Sequence, residues 1–239
     1  MSFTYKYRYW IGTAILVSII SVYFIANRKK GLGRGAKVKN ANPKKILFVG
    51  DSVTAIKDYR TGKPITSTYP NFVKQQLEPK GIKVDVLAKG GETTKWMLEN
   101  LPIQLASSKY DRIYVYGGIN DAWNNSITPE KTMQNVNAII DAIKQSGADA
   151  FIIQGYEPIG FMDYKKMPVT RYQKANTDNI PLINEYIAYQ DSLSKLQSQR
   201  RDFNLIPKVD LGSRTGDGIH PNGEGQRLLA DAILKSIAK

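Results

Sequence analysis

Two residues far apart in the chain have the chemistry of an acyl-transfer enzyme. The first is Ser52, in the run Gly50-Asp51-Ser52 that follows the apolar stretch Ile46-Leu47-Phe48-Val49. A serine at the carboxyl end of a strand, on a tight glycine-containing turn, presents its hydroxyl above the sheet edge, where a nucleophile is useful. The second is His220, the only histidine in the chain. A hydroxyl nucleophile working near neutral pH needs a base that titrates there, and an imidazole, at about 6.5, does so. Asp217 lies three residues upstream, close enough to accept a hydrogen bond from the imidazole and hold its tautomer. Each feature alone also suits an ordinary turn, since Gly, Asp, Ser, Pro and Asn are common turn residues. The coincidence of a lone histidine, a nearby aspartate and an elbow serine favours chemistry.

Two further loops could complete such a site. One reads Lys89-Gly90-Gly91-Glu92-Thr93-Thr94 and the other Gly117-Gly118-Ile119-Asn120-Asp121, each directly after an apolar run. Glycine lets a backbone N–H approach a substrate closely, and an asparagine amide adds a fixed donor, so both loops could stabilise a developing oxyanion. Paired glycines after strands are otherwise plain turn devices.

Taken in order, the four blocks resemble the SGNH hydrolase family, also called GDSL-like lipases and acylhydrolases. The resemblance lies in Gly-Asp-Ser (50–52), Gly-Gly-Glu-Thr-Thr (90–94), Gly-Ile-Asn-Asp (118–121) and Asp-Gly-Ile-His-Pro-Asn (217–222), and extends over about residues 46–238. It implies Ser52 as nucleophile with Asp217 and His220 completing a triad. It also implies an oxyanion hole formed by the N–H groups of Ser52 and Gly91 and the side chain of Asn120. No metal or organic cofactor is implied. The substrate would be a carboxylic ester of a small molecule, lipid or glycan, with short acyl groups favoured. The alternatives are a non-catalytic glycan- or lipid-binding module on the same fold and a structural membrane or particle component.

The elements that must carry these loops can be read from apolar periodicity. Strands are expected at 46–49, 83–88, 112–116, 150–154 and 203–209, and helices at 69–77, 93–106, 129–145, 180–200 and 223–238. The helix from Pro129 has a marked start, with Thr128 as N-cap, proline at its first position and Glu130 in its first turn. Strands alternating with helices imply an α/β protein, a three-layer α/β/α sandwich with a five-stranded parallel sheet. In such sheets sites lie at the carboxyl ends of the strands. The family resemblance adds a flavodoxin-like strand order. Residues 155–179 are long for a connection and contain Tyr156, Phe161, Tyr164 and Tyr172, which favours a flap on the substrate side.

Charge is distributed unevenly. The net charge is +13, yet residues 1–45 hold ten Lys/Arg and no acid, leaving 24 basic against 21 acidic side chains in the rest. A nucleic-acid partner is therefore not expected, since that function needs a basic face on the folded body. The basic residues instead flank Tyr9–Asn27, nineteen residues without a charge. As a helix this stretch would be about 28 Å long, enough to cross a bilayer's hydrocarbon. Tyr5, Tyr7, Tyr9, Trp10 and Tyr23 suit its interfaces. No small-residue cleavage site follows, and Arg28-Lys29-Lys30 come at once, which disfavours a removed signal peptide. The expected organisation is a single-pass membrane anchor over 1–30 with its span at about 9–27, a flexible basic linker over 31–45, and a hydrolase domain over 46–239. The positive-inside bias favours a cytoplasmic domain, whereas the family resemblance favours the other side. The chain contains no cysteine, which excludes disulfides and thiolate chemistry.

Overall fold

The computed structural model describes residues 38–39, 41–58, 61–123, 127–156, 180–212, 214 and 219–238. Five strands form one sheet: β1 (Lys45–Gly50), β2 (Lys83–Ala88), β3 (Arg112–Tyr116), β4 (Asp149–Ile153) and β5 (Asn204–Ile206). All neighbours are parallel, and the order is β2-β1-β3-β4-β5. This is the flavodoxin-like arrangement, with its reversal of strand order between β1 and β3. Among the described residues six α-helices connect or follow the strands: α1 (Tyr69–Leu77), α2 (Thr94–Ser107), α3 (Ile119–Trp123), α4 (Pro129–Gln145), α5 (Ile180–Gln199) and α6 (Gly223–Ile237).

Helices α1 and α6 pack together, as do α2 with α4 and α4 with α5. Successive strand side chains point to opposite faces. Ile46, Phe48, Tyr114, Phe151 and Ile153 accordingly share one core with Tyr69 and Val73 of α1 and Leu229, Ile233 and Ile237 of α6. Aromatic rings run across that face, with Phe48 edge-on to Tyr69 at 5.4 Å and Tyr114 stacked on Phe151 at 4.6 Å. Such pairs add to the stabilisation from buried area. Leu47, Val49, Ile113 and Val115 are also buried. A central parallel strand covered on both faces reads as a continuous apolar run for this reason.

Three expectations are corrected in detail. The last strand ends at Ile206 instead of Val209, because Pro207 has no N–H to continue the ladder. The one-turn α3 lies where only a glycine turn was expected. Tyr156, assigned to a flap, is fully buried: its ring stacks on Tyr116 at 6.2 Å and its carbonyl accepts from Gln190 Nε2 at 3.0 Å. The remainder of that loop, with Phe161, Tyr164 and Tyr172, lies outside the described residues.

The stretch read as a linker, 31–45, is described in part, and there it is held against the sheet. Lys39 N donates to Asp149 Oδ2 at 2.9 Å, and Lys44 N to Asp111 Oδ2 at 2.7 Å. Val38 packs on the core, and Lys45 already belongs to β1. The buried Arg112 gathers this end of the domain, donating to the carbonyls of Ala41, Ser236 and Ile237. Its charge meets the carbonyl end of α6, where the helix dipole favours a cation. The anchor over 1–30 lies outside the described residues. Among the described residues, no helix is long and apolar enough to cross a membrane.

Candidate active site

Register brings three of the four sequence blocks to one edge. Gly50 is level with Ala88 of β2 and with Tyr116 of β3, so the three loops that follow leave the sheet side by side. That edge is also the point where the strand order reverses, the usual ligand position in open α/β sheets.

The first loop is a compact turn. The Asp51 carbonyl accepts from the N–H groups of Thr54 at 3.1 Å and Ala55 at 2.9 Å, and Asp51 Oδ1 accepts from Val53 N at 2.9 Å. Only a residue without a side chain fits at Gly50. A Cβ there would lie 2.1 Å from Thr54 Oγ1 and 2.8 Å from the Tyr116 carbonyl oxygen. Gly50→Ala is therefore expected to destabilise the domain by about 2 kcal/mol or more, in the range of overpacked cores. Thermal denaturation would read this as a loss of several degrees.

Ser52 stands at the head of this turn, partly exposed. Its Oγ lies 2.9 Å from Nε2 of His220, a residue 168 positions away in the chain. His220 is exposed, and the loop that carries it is tied down on both sides. Before it, the Ile219 carbonyl accepts from the Tyr156 hydroxyl. After it, Asn222 caps α6 by accepting from Glu224 N at 3.1 Å and Gly225 N at 3.0 Å. Gly225 permits a close crossing, since a Cβ there would meet the Arg214 carbonyl oxygen at 2.4 Å. Asp217 lies outside the described residues.

The second and third loops are joined to each other and to the first. Lys89 N donates to the Gly50 carbonyl at 3.3 Å, and Asn120 Nδ2 donates to the Glu92 carbonyl at 2.9 Å. Asn120 is thus brought next to Gly91, which adopts a left-handed φ of 80°. One Nδ2 hydrogen of Asn120 is used in this bond and a second remains, as an amide has two. Asp121 is fully buried and fixes the start of α2, accepting from Thr94 N at 2.9 Å, from the Thr94 hydroxyl, and from Thr132 Oγ1 at 3.3 Å. Burial pushes its carboxyl above the ordinary range, with these hydrogen bonds opposing. Gly118, at φ 106°, lies under the Tyr189 ring, which a Cβ would strike at 2.3 Å.

Several positioning groups escaped the sequence reading. Gln226 of α6 is buried and bridges two elements, its Oε1 accepting from Tyr69 N at 2.8 Å and its Nε2 donating to the Val53 carbonyl at 3.3 Å. No local signal marks a glutamine for this task, because both partners are more than 150 residues away. Asp121 could have been noticed as the acidic neighbour of Asn120. Asp51 was read only as a turn residue, yet it is fully buried beside Ser52.

The family model for GDSL-like lipases and acylhydrolases matches residues 48–228. No curated protein sequence matches the chain. Among solved structures, the chain is similar to TesA, at 20% identity over 81% of this chain and 97% of that one, with a TM-score of 0.57. It is also similar to the acetyl xylan esterase AlAXEase, at 19% identity over 80% and 98% of the two chains, with a TM-score of 0.60. A third likeness is to Axe2, an acetylxylan esterase from Geobacillus stearothermophilus, at 15% identity over 83% and 95%, with a TM-score of 0.61. At these identities the solved structures speak for the fold. The match over most of the chain's length shows that the protein belongs to the GDSL-like lipase/acylhydrolase family and is an ester-hydrolysing serine hydrolase.

Proposed function

We propose that the protein hydrolyses short acyl esters, acetyl groups on a glycan foremost, through Ser52, His220 and Asp217, while anchored to a membrane by residues 9–27. The observation that carries the reading is the 2.9 Å approach of Ser52 Oγ to His220 Nε2. That distance allows Nε2 to take the hydroxyl proton as Oγ attacks the ester carbonyl. Charge then develops on the carbonyl oxygen. The N–H groups of Ser52 and Gly91 and the free hydrogen of Asn120 Nδ2 would hold it. Collapse of the tetrahedral species expels the alcohol, which receives the proton from His220. Water repeats the sequence on the acyl-enzyme, with His220 again as base. Asp217 is assigned to Nδ1–H, keeping Nε2 free to accept.

Two lines support the choice of substrate. The similar structures include two acetyl xylan esterases. His220 is also exposed, so a polymer chain can approach it. A fluorophosphonate probe is expected to label Ser52, and a panel of acetyl, butyryl and octanoyl esters, lysophospholipid and acetylated xylan should rank acetyl substrates first. No labelling of Ser52 would remove the catalytic assignment; preference for octanoyl or lysophospholipid would remove the substrate assignment. The anchor rests on the uncharged stretch and its basic flanks. The full chain should require detergent for extraction from membranes, and a chain lacking residues 1–45 should not.

A further inference from the structure

Asp51 presents a physical problem. Its Oδ1 accepts from Val53 N at 2.9 Å, while its Oδ2 is buried and has no hydrogen-bond partner among the described residues. Asparagine would make the same bond to Val53 without the penalty of an unpaired carboxylate in the interior. The groups that act on this carboxyl come from every side: Tyr69 of α1, Tyr116 of β3, Asp121 of α3, Tyr186 and Tyr189 of α5, and His220. The tyrosines are buried. Of all these, only His220 can carry a positive charge.

We propose that Asp51 is a positioning residue for the esterase reaction: a buried negative charge, set next to the nucleophile, that favours the imidazolium form of His220. This rests on the assignment of Ser52 and His220 made above. In the resting site the Asp51 carboxylate is poorly compensated, its buried Oδ2 having no hydrogen-bond partner among the described residues. When the Ser52 proton moves to His220 Nε2, the new positive charge partly compensates it, more weakly than in a closed interior because His220 is exposed and Asp51 alone is buried. The interaction is therefore stronger in the transition state than in the ground state, which is the condition for lowering the barrier. No proton passes to Asp51, and the bonds formed and broken remain those at Ser52. Its ionisation also falls in the working range: burial pushes the carboxyl up to about 7, with the Val53 hydrogen bond and His220 acting in the opposite direction.

Asp51→Asn in the full chain tests this. The amide oxygen can still accept from Val53 N, so the turn is retained while the charge is removed. The turnover number is expected to fall roughly tenfold with KM within about twofold. The acid limb of the pH profile should also move to lower pH, because His220 loses a partner that favours its charged form. Stability should respond in the opposite sense. An acid whose folded pKa is raised from 3.8 to about 7 contributes stability that is present below 3.8 and lost as pH rises through 7. The variant should therefore gain in thermal midpoint over the unmodified chain at pH 8 and lose that advantage near pH 4. An unchanged acid limb with turnover within twofold would overturn the proposal. A second measurement does not depend on the variant folding or on catalysis. His220 is the only histidine, so its ring signals can be followed by NMR in the unmodified full chain. A titration in two steps, one of them near 7, supports coupling to Asp51; a single step refutes it. Absent fluorophosphonate labelling would instead strike at the assignment of Ser52, leaving this titration as a separate result.

Discussion

Replacing either Ser52 or His220 with alanine is expected to reduce hydrolysis of p-nitrophenyl acetate by about ten-thousandfold or more, and replacing both together is expected to cost little beyond either alone. Residues that act as one unit are strongly non-additive, because removing the nucleophile leaves the base nothing to activate. The 2.9 Å contact between Oγ and Nε2 is the structural ground for treating them so. Neither change should unfold the protein. Ser52 is partly exposed, His220 is exposed, and the turn and loop that carry them are held by backbone and neighbouring groups. Measurement of rate and thermal midpoint on the same samples separates lost chemistry from lost fold. A double variant slower than the singles by a further thousandfold would show independent contributions and defeat the assignment. Because the base must be neutral to accept a proton, the unmodified enzyme should also lose activity as pH falls through about 6 to 7. A flat profile down to pH 4 would point to another base.

Asn120→Ala is expected to lower turnover by roughly a hundredfold or more while leaving KM nearly unchanged. One oxyanion donor is worth about 3 kcal/mol when it acts mainly on the charge of the transition state. The structural cost should be small. Among the described residues Asn120 makes one side-chain hydrogen bond, to the Glu92 carbonyl at 2.9 Å, and it is only half-buried. Its neighbour Asp121 provides the contrast. Asp121→Ala would strip the partners from Thr94 N, Thr94 Oγ1 and Thr132 Oγ1 in the interior, so its first effect should be a lowered melting temperature. Steady-state kinetics beside thermal denaturation distinguishes the two positions. Equal losses of stability would mean that Asn120 acts by holding the two loops together.

Parallel strands buried on both faces announce themselves as apolar runs, and helices by their period and caps. The order of the five strands and of the five longer helices was therefore legible among the described residues, with the one-turn α3 missed and the last strand's end moved to where Pro207 stops the ladder. Ser52, Gly91, Asn120 and His220 could be proposed as site residues from the sequence for a related reason. Each sits in a short loop directly after a strand or before a helix, and glycine, asparagine and histidine are residue types whose uses are few.

The supporting cast was hidden because its partners are remote. Gln226 reads as one more polar residue of a helix until the fold sets it between Tyr69 and Val53. Tyr156 looks like a loop aromatic until the sheet buries it and aims its hydroxyl at the Ile219 carbonyl. The residue types and their spacing along the chain determined by themselves that a serine and a histidine would be offered at loop ends, with a strand in front of the first and a helix behind the second. Only the tertiary structure decided that Oγ and Nε2, 168 positions apart in the chain, would come to 2.9 Å, and that Asp51 would lie in the interior beside Ser52. A local pattern specifies backbone shape, which is governed by near neighbours along the chain. Distance, burial and the charge state of a carboxyl are properties of what packs around it, and for Asp51 those groups come from α1, β3, α3, α5 and the loop before α6.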